Sequence, residues 1–303
     1  MELQQLRYVV ALAEELSFTR AAARCHVVQS ALSHQIKILE KELGVELFAR
    51  TSRRVEPTEA GMAFLPPARA SLAAAESAAA DAAAAAGLVR GRLTMGVIPT
   101  VAAVDLPAAL KTFRQAHPQV QITLQGGRSD DLESAVAGGQ LDVALIGALT
   151  NHEPRGVASR LLDSDHHIAV LSREHPLSSR REVQLLDLAD EIFADFPAGT
   201  PGRQQSDQAF ARAAIHRDVP FEVDSIDLML GLVRQNLAIT LLPSKFTFSH
   251  RDLAVIQIAD GPSRMEHILW SRLNPSPATK AFLAIVNRAG PPADSRELDP
   301  RHR

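Results

Sequence analysis

The chain has 303 residues, of which 46% are apolar, and its 32 basic and 35 acidic side chains give a formal net charge of −3. This length suits two to three domains with real cores, and a single cysteine excludes an internal disulfide or a cluster of cysteine metal ligands. Because no apolar run approaches the roughly 18 residues of a membrane span and the N-terminus does not read as a signal peptide, we expect a cytoplasmic protein.

The first 61 residues predict two short helices, a tight turn and a small basic wing. Ser17 precedes an apolar-periodic run and can cap the first of these helices through its hydroxyl. The second helix is predicted over residues 29–43, where one apolar stripe of period 3.6 is formed by Leu32, Ile36, Leu39 and Leu43. This order is typical of a helix-turn-helix DNA reader, whose second helix enters the major groove.

The polar face of the second helix and the wing supply the predicted DNA contacts. Helix residues can reach bases or phosphates, and arginines on a wing suit phosphate or minor-groove contact. The predicted DNA-binding residues are Thr19, Gln29, Ser30, Ser33, His34, Lys37, Arg50, Arg53 and Arg54. Residues 1–61 hold eight basic and eight acidic side chains, so affinity must come from clustering, with Arg20 and Arg24 also facing the DNA. Taken singly, residues of these types are more often solvated surface, and the order of the elements is what favours a DNA-binding site.

Residues 59–88 predict a long linker helix that serves as a dimer arm. Thirteen of the nineteen residues at 68–86 are alanine, the best helix former, and Gly87 ends the run. Pro66 and Pro67 predict a kink, because proline removes backbone donors and crowds the preceding turn. The alternative is a flexible low-complexity linker.

From residue 89 the chain alternates strand and helix patterns, which predicts parallel sheets with helices on both faces. Strands are predicted at 92–97, 120–125, 142–146, 167–171, 191–194, 221–224, 238–242 and 266–270. Helices are predicted at 106–117, 130–137, 204–216, 226–235 and 277–288. The last strand and helix lack partners of their own, so we expect them to return to the first of two α/β lobes around a ligand cleft.

The first 61 residues resemble the winged helix-turn-helix of LysR-type transcriptional regulators. The family pattern is matched at Phe18, Thr19, Ala21, Ala22, Gln29, Ala31, Leu32, Ser33, Ile36, Leu39, Glu40, Leu43, Gly44, Leu47, Phe48, Arg50, Thr58, Ala60 and Gly61. Departures are Cys25, Val28, Ser30 and Pro57. Val28 stands where the family has a capping serine, so Ser30 is an alternative cap one turn-position later.

The remainder resembles the LysR-type effector domain, itself similar to periplasmic solute-binding proteins, through Phe113, His117, Pro118, Gly139, Leu141, Asp142, Val143, Ala144, Leu242 and Pro243. The resemblance implies a multidomain α and α/β protein with a DNA-binding domain at 1–58, a linker helix at 59–88 and an effector domain at 89–290. Lobe one would comprise 89–162 and 266–290 and lobe two 163–265, with a disordered tail at 291–303. By resemblance, the effector contacts are Pro99, Thr100, Val101, Ala102, Gly127, Arg128, Ser129, Ile146, Thr200, Gly202 and Arg203.

These patterns predict a DNA-binding transcriptional regulator that responds to a small-molecule effector. Helix N-termini, hydroxyls and arginines at the cleft favour an anion. The expected partners are double-stranded DNA at an interrupted inverted repeat, further copies of the chain in a dimer or tetramer, and RNA polymerase. Neither a cofactor nor a membrane is expected. The alternative is a solute-binding sensor whose helix-turn-helix contacts protein. No nucleophile–base or metal motif indicates an enzyme, and the neighbours His166 and His167 would face opposite sides of a strand.

Overall fold

The computed structural model describes residues 1–50, 55–85, 88–246, 248, 252–273 and 275–289. Four features predicted above lie outside these ranges: Arg53, Arg54, Gly87 as the end of the linker, and the tail at 291–303.

The N-terminal domain is a helix-turn-helix with a hairpin wing, as predicted. Its elements are α1 (Leu3–Glu15), α2 (Phe18–Arg24), α3 (Gln29–Leu43), β1 (Phe48–Arg50) and β2 (Val55–Pro57). Ser17 caps α2, its Oγ accepting a hydrogen bond from the Arg20 N–H at 3.4 Å. Helix α3 starts directly after Val28 with no side-chain cap, so the alternative of Ser30 as a later cap is wrong. The exposed Val28 leaves the first N–H groups of α3 without a side-chain acceptor.

The wing is fixed to α3 by one buried carboxylate. Oε1 of Glu40 accepts hydrogen bonds from the backbone N–H groups of Leu47 at 3.0 Å and Phe48 at 3.3 Å. Leu47 and Phe48 are each 1% exposed and join Leu32, Ile36 and Leu39 of α3 in the domain core, whereas Leu43, the last residue of the predicted stripe, is exposed. The position of the antiparallel β1–β2 hairpin relative to α3 is therefore set by polar and apolar contacts together.

Helix α4 (Glu59–Ala85) is the predicted linker helix, and it continues through Pro66 and Pro67. Thr58 caps its start by accepting from the Gly61 N–H at 3.0 Å. Two ion pairs tie α4 to its neighbours: Arg69 lies 3.2 Å from Glu14 of α1, and Asp81 lies 3.8 Å from Lys280 of the last helix of the chain.

Lobe one has the predicted βαβαβ order. It comprises β3 (Gly91–Val97), α5 (Leu106–Ala116), β4 (Val120–Gly126), α6 (Ser129–Ala137) and β5 (Val143–Ala148). The three strands are parallel in the order β4-β3-β5. The helices cover both faces, and buried aliphatic side chains of all three strands form the core.

Lobe two is reached through β6 (Ala158–Ser172), a strand three times longer than predicted. The lobe contains β7 (Glu182–Val183), β8 (Ile192–Asp195), α7 (Pro201–Arg212), β9 (Asp218–Glu222), α8 (Ile226–Arg234), β10 (Thr240–Pro243) and β11 (Leu253–Ile258). The sequence did not predict β7 or β11. It also placed α7 three residues late, because Thr200 caps the helix and Pro201 occupies its first position.

The chain returns to lobe one through β12 (Ser263–Trp270) and α9 (Pro277–Ala289). Strand β12 pairs antiparallel with both β5 and β6, so the sheet is continuous from one lobe to the other within the described residues. The ring of Phe282 on α9 meets that of Phe113 on α5 edge-on, with centroids 5.8 Å apart. The last strand and helix therefore pack on β5 and α5 of lobe one.

Candidate functional site

The first candidate site is the exposed polar face of α3. Gln29, Ser30, His34 and Lys37 are exposed and Ser33 is half-buried. None of these five side chains has a hydrogen bond or ion pair to another described residue, so all five are available to an outside partner. Thr19 on α2 is exposed as well. Arg50 ends β1, but its side chain, like Arg53 and Arg54, lies outside the described part of the chain.

Two arginines expected at the DNA have other partners. The Arg24 guanidinium lies 2.6 Å from Glu14 and 3.5 Å from Glu15, and Arg20 lies 3.3 Å from Glu15. Because α2 crosses α1 closely, both side chains reach the carboxylates at the end of α1. Arg24 also lines a cavity shared with α4 and lobe one, away from the polar face of α3.

The second candidate site is a cleft between the two lobes, with a cavity of about 440 Å³. This volume lies in the range of small-molecule sites. Seven of the predicted effector contacts line this cavity: Pro99, Thr100, Gly127, Arg128, Ser129, Thr200 and Gly202. The remaining lining residues are Ile98, Gly126, Asp131, Gly147, His167, Asp195, Phe196, Pro201, Gln205, Asp224, Leu241, Pro243 and Arg264.

Four predicted effector contacts do not line this cavity. Val101 packs against the lobe-one core, and Ile146 is buried in it because its side chain leaves β5 on the face covered by α6. Ala102 turns its N–H to Glu266, at 2.9 Å, rather than to the cleft. Arg203 points away into a cluster of carboxylates, where its Nε lies 2.8 Å from Asp207 and its Nη1 lies 3.2 Å from Glu222.

The three hydroxyls at the cleft are all engaged within the protein. Thr100 accepts from Arg264 Nη1 at 3.0 Å, and Ser129 donates to the Gly147 carbonyl at 2.7 Å. Thr200 donates to the Pro197 carbonyl at 2.8 Å and caps α7. Ser129 and Thr200 thus use their donors to hold the loops of the cleft, whereas the Thr100 hydroxyl only accepts and keeps its own hydrogen.

Arg128, the predicted anion clamp, lies at the mouth and bridges the lobes. Its Nη2 donates to Asp130 of its own helix and to the Gly199 carbonyl of lobe two, each at 3.3 Å. Its Nε lies 3.9 Å from Asp131. The guanidinium thus already has two carboxylate neighbours and a carbonyl.

The floor of the cleft holds a buried ion pair that sequence reasoning missed. The Arg264 side chain is 2% exposed, pairs with Glu266, and donates to the Thr100 carbonyl at 2.8 Å. Burial lowers the pKa of Arg264 to about 10, so the group stays cationic at neutral pH. Glu266 also accepts from the N–H of Ala103 at 2.9 Å, which ties the loop after β3 to β12.

Two further residues of the cleft wall were also missed, His167 on β6 and Gln205 on α7. His167 is 4% exposed, and its Nδ1 lies 3.2 Å from the Pro262 carbonyl. Gln205 is 4% exposed. The spacing rules give no signal for either position, because their place in the cleft depends on how the lobes meet.

A winged helix-turn-helix joined by a long helix to a two-lobed ligand cleft defines a class: DNA-binding regulators controlled by a small molecule. Two family models match this chain, "Bacterial regulatory helix-turn-helix protein, lysR family" over residues 3–62 and "LysR substrate binding domain" over residues 86–291. The chain belongs to the LysR family of transcriptional regulators. It is therefore a DNA-binding regulator that responds to a small-molecule effector, as the sequence predicted.

Relatives cover nearly the whole chain. A hydrogen peroxide-inducible genes activator of Dickeya chrysanthemi is 32% identical over 298 residues, covering 98% of this chain and 92% of the relative. The DNA-binding transcriptional dual regulator OxyR of Escherichia coli is 34% identical over 244 residues, 80% of this chain and 79% of OxyR. Full-length OxyR of Pseudomonas aeruginosa, solved as a cysteine-to-aspartate variant, superposes with a TM-score of 0.77 at 25% identity, covering 95% of each chain.

Within the described residues, no group of three or more histidine, cysteine or acidic side chains could hold a metal ion. None of the described helices is both long and apolar enough to cross a membrane. The homologues are transcriptional regulators rather than enzymes.

Proposed function

We propose that α3 reads DNA sequence through Gln29, Ser30, Ser33, His34 and Lys37, with Thr19 and the wing arginines contacting phosphates. The observation that supports this assignment is the exposed polar face of α3, whose side chains have no partner among the described residues. The opposite face is locked in the core by Leu32, Ile36 and Leu39, each 0% exposed, so the helix presents that polar face in a fixed orientation.

We assign one function to each segment of the chain: residues 1–58 bind DNA, residues 59–88 link the subunits, and residues 89–290 bind the effector. Two-fold protein symmetry calls for two half-sites, so the target is an interrupted inverted repeat bound by a dimer or tetramer, in the cytoplasm where its DNA lies. The effector binds between the lobes, and it favours one of two arrangements of the oligomer on DNA.

A DNA titration tests the recognition face. The full-length protein is titrated on DNA from upstream of its own gene, with excess competitor, alongside a Ser33→Ala/Lys37→Ala variant. We expect the variant to lose specific binding and to show a smaller salt slope, by about one unit for the lost phosphate contact. Lys111→Ala, which removes an exposed charge from α5, is the matched control and should bind like the wild type. Equal specific binding by the double variant would overturn the assignment.

We also propose that the effector is bound reversibly and is not sensed by thiol oxidation, although several relatives are peroxide-inducible activators. Peroxide oxidises thiolates, and the sole cysteine of this chain is Cys25, in the helix-turn-helix and not in the effector domain. Burial raises the pKa of the Cys25 thiol, against the charges of Arg24 and Arg7, so its thiolate is disfavoured.

DNA binding measured before and after peroxide treatment tests this point. We expect wild type and Cys25→Ala to bind the same site with the same affinity under both conditions. A peroxide-dependent change that Cys25→Ala abolishes would show that this chain is a thiol sensor after all.

A further inference from the structure

The charges that line the effector cleft are close to balance. Two cations, Arg128 and Arg264, face three carboxylates, Asp131, Asp195 and Asp224. Asp195 is itself compensated, since Arg217 Nη1 donates to it at 2.7 Å. The field inside a cleft follows the sign of its lining, so a balanced lining has no net attraction for anions.

Neither cation of the lining is available for a bidentate contact with an anion. Arg264 is paired with Glu266 and bound to both oxygens of Thr100, and its remaining Nε is buried without a partner. Arg128 is held by Asp130 and by the Gly199 carbonyl. A carboxylate ligand would have to displace these carboxylates and would lie close to them at the cost of like-charge repulsion.

Besides the Thr100 hydroxyl, two uncharged polar groups on the wall have unused hydrogen-bonding capacity. The Gln205 carboxamide has no protein partner among the described residues, and its Nε2 lies 3.8 Å from the point that a β-carbon on Gly147 would occupy. His167 uses Nδ1 on the Pro262 carbonyl, which leaves Nε2 without a protein partner in the same part of the structure. Burial, and then the charge of Arg264, lower the pKa of His167 to about 4, so at neutral pH Nε2 accepts a hydrogen bond.

The rest of the wall is mostly apolar and comes from both lobes: Ile98, Pro99, Phe196, Leu241 and Pro243. A cavity of this kind binds through buried apolar area, and its few free polar groups set the orientation of the ligand. Leaving a buried polar group unpaired costs about 1–3 kcal/mol, so the ligand must satisfy both of these groups.

We infer that the effector is a small uncharged molecule, largely apolar, whose hydroxyl or amide group hydrogen-bonds the Gln205 carboxamide and the Nε2 atom of His167. This inference rests on the proposed function of the cleft and replaces the anion expected from the sequence. The site offers a charged ligand no free counter-charge at these groups, because Arg264 and Arg128 are held by carboxylates and Asp195 is held by Arg217.

Fragments matched in shape and different in charge test the inference. Benzamide, benzoate and benzamidinium form one such set, and cyclohexane- and naphthalene-based sets extend it. Binding to the full-length protein is measured by ligand-observed NMR at about 1 mM, the affinity range expected of fragments. We expect the neutral members to bind at least tenfold more tightly than their charged counterparts.

Two substitutions in α7 test whether the neutral fragments bind in the cleft at Gln205. Gln205→Leu keeps the volume and removes the carboxamide, so the neutral fragments should bind it about tenfold more weakly. Gln208→Leu makes the same change one turn along α7, outside the cleft, and should bind them like the wild type. Thermal unfolding of each variant without ligand shows that both remain folded.

Three results would overturn the inference: tighter binding of the carboxylates, neutral binding unchanged in Gln205→Leu, or no binding by any neutral member. The first leaves the cleft as the effector site and removes only the ligand class. The DNA titration with the Ser33→Ala/Lys37→Ala variant is unaffected by any of the three, so failure of the DNA-reading proposal remains separately detectable.

Discussion

Arg264 and Glu266 lie two positions apart on β12 and form a buried ion pair that joins the loop after β3 to the strand crossing between the lobes. Removing one partner of such a pair leaves an uncompensated charge in the core. We expect Arg264→Met or Glu266→Gln to lower the free energy of unfolding of the effector domain by about 3–5 kcal/mol. Denaturant titration followed by tryptophan fluorescence measures this, since Trp270 lies on β12.

The double variant Arg264→Met/Glu266→Gln separates the interaction energy of the ion pair from the contributions of the two individual side chains. Because neither charge is then left alone, its loss should be well below the sum of the two single losses. Additive losses would mean that the two charges act independently, contrary to the geometry.

Gly147 keeps the cleft open where the lobes approach each other. A β-carbon there would lie 3.1 Å from Ile98 Cδ1 and 3.2 Å from Arg264 Nη1, closer than nearly all real contacts of this kind. We expect Gly147→Ala to weaken effector binding at least tenfold, or about 1.4 kcal/mol, while DNA binding without effector is retained. Gly126→Ala is the matched control, because Gly126 lines the same cleft and a β-carbon there meets nothing within 4 Å.

Titration calorimetry with a neutral fragment that binds the wild type measures its affinity for both variants. Equal weakening by Gly126→Ala and Gly147→Ala would show that the cleft tolerates no change anywhere, rather than being narrow at Gly147.

His167 makes the stability of the effector domain depend on pH. Its pKa is lowered to about 4 in the folded protein, first by burial and then by the charge of Arg264, with Asp165 and the Pro262 carbonyl acting in the opposite direction. An unfolded histidine titrates near pH 6.5, so between pH 6.5 and 4 the unfolded chain binds more protons. The free energy of unfolding therefore falls as the pH is lowered through this window, by about 3 kcal/mol at most from this residue, and is level above it.

Denaturant titrations at pH 7.5 and pH 5 measure the effect. His167→Asn keeps a donor for the Pro262 carbonyl and should lose much of the difference between the two pH values. His166→Asn changes the exposed neighbour on the opposite face of β6 and should keep it. The same pH difference in all three proteins would contradict the assignment to His167.

Glu40 holds the wing, so its loss should affect both stability and DNA binding. Glu40→Leu removes the acceptor of the Leu47 and Phe48 N–H groups, and leaving buried donors unpaired costs about 1–3 kcal/mol for each group. Glu40→Gln keeps an acceptor oxygen and should cost less. Thermal unfolding and the DNA titration together check this; weaker DNA binding in Glu40→Gln with normal stability would point to a direct role at the DNA.

Local patterns predicted most of the architecture. The apolar periodicity of α3 predicted the bounds of that helix. The predicted order of strands and helices in lobe one matched the structure because each element there buries one face, and the spacing of its apolar residues shows which type of element it is. The start of α7 was predicted three residues late although a start signal was present, namely Thr200 followed by proline. Strand β6 was harder, because its first half is exposed and polar as it crosses between the lobes.

The chemistry of the cleft could not be read in this way. Glu266 meets the N–H groups of Ala102 and Ala103, more than 160 positions away in sequence. Arginines near a glycine-rich junction looked like anion clamps, yet Arg128 and Arg203 find carboxylates within a few residues on the same helix or across the lobe. Residue type can indicate a site, but only the folded chain decides which charges are already neutralised.

Because β12 and α9 return to lobe one, the domains of this chain complete their folding in a fixed order during synthesis. The helix-turn-helix core uses residues no later than Leu65, so it can form while most of the chain is still unmade. Lobe one cannot close its core until Ile268 and Phe282 have emerged from the ribosome. Every nascent chain thus passes through a stage in which the DNA-binding domain can be folded and the effector domain cannot. Synthesis that stops at that stage releases a DNA-binding domain without the effector domain that controls it.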